Sequence, residues 1–205
     1  MSTPSLAALV RDPSATPAAI AAHLDALDFA ACKAEAFSLD RAGQRALYEK
    51  MAGLPLDIAH FVPDAVPAVT EVIHHGKNTL PLPSTFRFFE KRFARPGDGS
   101  RRLFGYNEGA SRPLIGPGCF VLIETAGHDP AWVARGPLVV DYFQVPDGAV
   151  PAGWPAVIPN SSGLQFFVYN KTRDFMRPVS QRVSIGAAYK VEKALDHYFI
   201  LVREG

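Results

Sequence analysis

Residues 71–95, EVIHHGKNTLPLPSTFRFFEKRFAR, decide how the chain is to be read. Two adjacent histidines, a glycine, a Lys-Asn pair, two prolines and four phenylalanines fall in 25 residues, among five cations. The first part is rich in β-branched residues and reads as the end of a strand from Val69 to His74, stopped at Gly76. In the second part Leu82, Phe86, Phe89 and Phe93 lie at offsets 0, 4, 7 and 11, with Ser84 as a cap and Pro96 as a stop. That spacing predicts an amphipathic helix. Phe88 is out of phase with it, so a strand remains the alternative.

Outward from this stretch the texture differs on the two sides. Residues 1–60 are rich in alanine and read as short helices. Thr16 is a good N-cap with Pro17 in the first helical position, where its missing N–H costs nothing. A further helix runs from Ser38 or Asp40 to Met51, with Gly53 placed for a C-terminal cap. LPLDIAHFVPDAVPA (54–68) is a proline-rich extended connector. On the other side, Arg102–Tyr106, Cys119–Thr125 and Leu138–Val145 read as strands, GAVPAGWPAVIPNSSG (148–163) as a long loop, and Leu164–Met176 as a helix. The last 25 residues read as a β-hairpin whose turn is Glu192–Asp196. The fold class expected is α+β: a mainly antiparallel sheet or partial barrel (61–205), a small N-terminal helical region (1–60) and two additional helices, all one structural unit.

Composition narrows the function. At 205 residues, 48% hydrophobic and 20% charged, the chain can bury a real core. A formal net charge of +1 gives no global field toward nucleic acid. No apolar run reaches the roughly 20 residues of a membrane span, and the first residues lack a secretory pattern, so a cytoplasmic protein without membrane insertion is expected. Cys32 and Cys119 stand apart with no CxxC spacing and read as reduced core residues. No HxH, HExxH or Walker A spacing occurs, so no metal is expected. The Asn160 and Asn170 sequons carry no meaning without export.

Four groups carry the candidate chemistry. Lys77, Asn78, Arg87, Lys91 and Arg92 belong to a basic run through Arg102, and guanidinium groups together with a Gly-Lys-Asn turn can hold a carboxylate or phosphate. The alternative is a solvated helix face. His74 and His75 are tentative acid–base residues, since histidine titrates near neutrality; on a strand they point to opposite faces. Asp141 and Tyr142 lie inside an apolar strand, where a carboxylate needs a cation, an arginine of the basic run being the obvious one. Aromatic residues from Phe104 to Tyr169 either line a pocket or form the core.

His75–Pro81 (HGKNTLP), Phe89–Phe93 (FEKRF), Gly105–Asn107, Gly116–Gly118 and Val140–Tyr142 together resemble a pattern found in uncharacterised bacterial proteins of similar size. The resemblance implies a bacterial source and one evolutionary unit. It implies no activity and no cofactor. The reading that follows is a binding module for an anionic or amphipathic small molecule. The alternatives are an enzyme in which His74 or His75 is acid–base and Lys77 or an arginine stabilises charge, and a protein-interaction module docking through its N-terminal helices.

Overall fold

The computed structural model describes residues 4–81 and 83–205. Eight antiparallel strands close into a barrel in sequence order: β1 (Val72–Asn78), β2 (Phe88–Ala94), β3 (Leu103–Glu108), β4 (Phe120–Glu124), β5 (Leu138–Asp141), β6 (Thr172–Pro178), β7 (Val183–Lys190) and β8 (Lys193–Arg203), with β8 pairing back to β1. Closure leaves no sheet edge unpaired. The sheet of the sequence reading is thus a complete barrel.

Register fixes which side chains look inward. Val72 faces Phe93, His74 faces Lys91 and Gly76 faces Phe89 across β1 and β2. Lys91 then faces Asn107, Gly105 faces Phe120, and Leu122 faces Val140, which faces Asp174. With a period of two, these residues fill the barrel while Ile73, His75, Lys77 and Arg92 face out. The interior is built from Phe93, Leu103, Phe120, Leu122, Leu138, Val140, Tyr142, Met176, Phe199 and Leu201, all buried.

Two segments expected to be helical are strands. In place of a helix over Leu82–Phe93, a single 3-10 turn (Ser84–Phe86) leads into β2; Leu82 lies outside the described residues. In place of Leu164–Met176, a one-turn helix (Gln165–Val168) ends before β6. Strand β1 also runs on through Gly76, and the hairpin turn is Val191–Glu192 rather than Glu192–Asp196.

The N-terminal helices are α1 (Leu6–Arg11), α2 (Pro17–Asp25), α3 (Phe29–Ser38) and α4 (Arg41–Lys50). Each begins at a side-chain cap: Ser5, Thr16, Asp28 and Asp40 accept backbone N–H groups three residues on. They pack through Leu6, Ile20, Leu24, Cys32, Leu47 and Met51 onto Val183, Ile185, Ile200 and Val202, the outward residues of β7 and β8. Helices this short gain their stability from that shared core. Arg177 clamps the layers together. Its guanidinium donates to Tyr48 O (2.6 Å), Arg135 O (2.9 Å) and Ala134 O (3.0 Å) while lying 3.9 Å from the Tyr48 ring.

The two barrel ends differ. The 54–68 connector crosses one end, where fully buried Phe61 and Val62 act as a plug and Phe61 packs on His74 and Phe93. At the other end lie the β1–β2, β3–β4, β5–β6 and β7–β8 loops. The β5–β6 loop is the long one. Asn160 pins it at this end by donating to Cys119 O (2.7 Å) and Tyr142 O (2.9 Å), and Trp154 pins the part that runs back to the plug end by donating to Glu71, the residue before β1 (2.6 Å).

Candidate functional site in the barrel interior

Three strands and the residue after a fourth each send one polar group to a single point inside the barrel. Lys91 (β2) has 1% of its surface exposed, and its Nζ lies 2.9 Å from Asn107 Oδ1 (β3) and 3.3 Å from Asp174 Oδ2 (β6). It also donates to the Tyr142 hydroxyl, from the residue following β5. Asn107 Nδ2 donates in turn to Gly118 O (2.9 Å) and toward Tyr142 Oη (3.1 Å). The three ammonium protons thus have three acceptors, as a buried charge requires.

Aromatic rings enclose this point. The Lys91 ammonium stands 4.7 Å from the Phe120 ring centre, 5.0 Å from Tyr142, 5.1 Å from Phe199 and 5.9 Å from Phe89. Glycines make room for the rings. A Cβ on Gly105 would stand 2.3 Å from the Phe120 ring and 2.6 Å from Arg92 O, and one on Gly186 would stand 2.3 Å from the Phe199 ring. The Phe89 ring lies on Gly76 in the same way, and the Tyr169 ring on Gly118. Gly118 has φ +52°, a conformation that suits glycine and turns the Gly116–Gly118 segment into the barrel. Phe89 and Tyr169 are only half-buried and stand between Lys91 and the loop end.

Burial sets the electrostatics. It pushes the Lys91 ammonium below its usual range and Asp174 above its own, while each opposes the shift in the other. Burial likewise holds the Tyr142 hydroxyl in its protonated form.

The other sequence candidates lie elsewhere. Of the basic run, only Lys91 enters the barrel. Lys77 faces out and donates to Phe37 O and Leu39 O (3.0 Å), closing the C-terminal end of α3. Asn78 supports the β1–β2 loop, accepting from Leu80 N at 3.0 Å. Arg87 is exposed on that loop. Arg92 lies on the outer wall with Glu71 (3.0 Å) and Glu90 (2.7 Å). Asp141 also faces out. It does have an arginine partner, but from β6 rather than the basic run: Arg173, at 3.3 Å. Tyr142, its neighbour, faces in.

His74 is fully buried and donates from Nε2 to Phe61 O (2.9 Å). Burial pushes its pKa down to about 3, so it is a neutral core group. His75 points outward, 3.4 Å from Glu204 and 3.8 Å from Glu90. Asp174 and Asn107 are not among the candidate site residues of the sequence. Asp174 lies in a segment that reads as a helix, where an aspartate is an ordinary surface residue, and Asn107 falls in the Gly105–Asn107 motif, to which no role attaches.

Among the described residues, no group of three or more His, Cys, Asp and Glu side chains is arranged to hold a metal ion. No helix among them is long and apolar enough to cross a membrane. Comparison with protein-family models, curated proteins and solved structures returns no match.

Proposed function

We propose that the chain is a binding module whose barrel takes a small amphipathic molecule from the loop end. The anionic head meets Lys91, Asn107 and Tyr142, and the apolar part lies against Phe89, Phe199 and Tyr169. One observation carries this reading: three strands and the residue after a fourth converge polar side chains on a single buried point in a mainly apolar and aromatic interior. Such a network adds little to stability, because well-packed apolar residues in its place are commonly neutral or stabilising. Buried titratable groups displaced from their usual range are a mark of functional sites. The Asp174 contact is the longest of the three to Lys91, so a ligand carboxylate or phosphate competes best there. Asp174 would then take up a proton, the direction in which burial already pushes it.

The histidine acid–base reading draws no comparable support. His74 is sealed against the Phe61 plug, and His75 lies on the opposite side of the sheet. Docking through the helices draws none either, because the exposed large apolar side chains among the described residues lie outside α1–α4.

Thermal unfolding with dodecanoate, dodecyl phosphate and neutral dodecanol tests the proposal. The two anions should stabilise saturably, by about 2.7 kcal/mol at 100 times the dissociation constant, and dodecanol should not. The folded control is Lys91→Met/Asp174→Leu, which should lose the response. An equal response to dodecanol, or one that persists in the double variant, would overturn it.

A further inference from the structure

The exposed large apolar side chains are concentrated at the loop end of the barrel. Phe86 on the β1–β2 loop is 44% exposed, Leu114 on the β3–β4 loop 74%, Phe167 on the β5–β6 loop 73% and Val191 at the β7–β8 turn 63%. Leu164 and Phe166 add to the third loop. All four loops at this end therefore present apolar tips, a pattern that marks an interaction surface rather than scattered exposed residues.

The Val191 tip is held against local preference. Lys190 pairs with Lys193, so Val191 and Glu192 form a two-residue hairpin turn, with φ +47° and +65°. Asn-Gly is the favoured pair in such a turn, and a β-branched residue at positive φ is strained. The exposed valine thus stands where a polar residue would cost less.

The charges of this end choose the partner. Its carboxylates are already engaged: Glu108 with Arg112 (2.7 Å), Glu192 with Arg173 (2.7 Å) and with Arg135, and Asp196 with Arg41. Lys171 and Lys193 are exposed between the apolar tips, and half-buried Lys190 donates to Phe167 O. Apolar tips interleaved with lysines match the boundary of a bilayer that carries anionic lipid, where each basic residue adds to the attraction.

We propose that the loop end of the barrel docks on an anionic lipid surface, with Phe167, Leu114 and Val191 entering the headgroup boundary. The claim stands apart from ligand binding, and vesicle sedimentation reads it without any soluble ligand. Wild-type protein should sediment with phosphatidylcholine vesicles containing phosphatidylglycerol, far less with phosphatidylcholine alone, and less as salt rises. Phe167→Asp/Leu114→Asp should weaken binding by more than about tenfold, each lost apolar contact being worth roughly that factor. Val191→Asn should weaken binding while leaving thermal stability equal or higher, since it relieves the turn. Sedimentation that is absent, or unchanged in these variants, would overturn the proposal. So would concentration-dependent dimerisation that the same variants abolish, because the tips would then be covering a second copy of the chain.

Discussion

Lys91 and Arg92 are consecutive residues in different surroundings. Strand geometry turns Lys91 into the barrel, where Phe89, Phe120, Tyr142 and Phe199 replace water, and turns Arg92 onto the outer wall between Glu71 and Glu90. Both cations are paired, yet the pairs differ in consequence. On the wall, water substitutes for a lost partner and the ion pair contributes little. In the interior nothing substitutes, so a half-removed pair leaves an uncompensated charge. The same side chemistry is therefore inexpensive on one face of β2 and critical on the other.

The sharpest way to break this comparison is Lys91→Met. It strands Asp174 in an apolar interior and should cost about 3–5 kcal/mol by urea unfolding. A cost below about 1 kcal/mol would show that water reaches Asp174. Next comes pH. Burial holds His74 at about 3 and His60 at about 4, both below the ordinary value of 6.5. Between those values the unfolded chain binds more protons than the folded one. Their contribution is therefore complete above about 6.5 and is lost as pH falls, down to about 4 for His60 and about 3 for His74, at about 1.4 kcal/mol per unit of displaced titration. His74→Gln, which keeps a donor for Phe61 O, should flatten part of that slope in chemical unfolding followed across pH.

Gly105→Ala tests the aromatic cage. The new methyl group meets both the Phe120 ring and the immovable Arg92 carbonyl, so a loss of about 1–3 kcal/mol is expected in thermal unfolding. The smallest effect is expected on the wall: Arg92→Gln should change stability by less than about 1 kcal/mol, and the difference should shrink further in high salt. A larger loss would mean that the outer pair also works in a dry environment.

The same contrast explains what could be read from the sequence. Strands β4, β5, β7 and the second half of β8 are legible because their apolar runs or alternation are intact, and the Thr16 cap with Pro17 is legible from local chemistry. The two strands that read as helices, β2 and β6, are those that carry Lys91 and Asp174. In β2 a lysine occupies an inward position between Phe89 and Phe93, and Phe88 faces out. In β6, Asp174 faces in while Phe175, packed under Trp132 and Tyr189, faces out. Both strands thus lose the period-two signal. A pattern breaks where a buried charge has been placed, which is where a functional or strained site is expected. The candidate site was half visible. Lys91 and Tyr142 were singled out, but their meeting depends on barrel closure and register, which no local spacing encodes.

On the proposed function the Lys91–Asp174 pair serves ligand recognition and not stability. Replacing both partners in Lys91→Met/Asp174→Leu leaves Tyr142 and Asn107 to hydrogen-bond each other and removes both charges. Urea unfolding and dodecanoate binding, measured on that one variant, should show stability equal to wild type or higher by up to roughly 4 kcal/mol, with binding abolished. A variant markedly less stable than wild type, or one that still binds dodecanoate as wild type does, would contradict it.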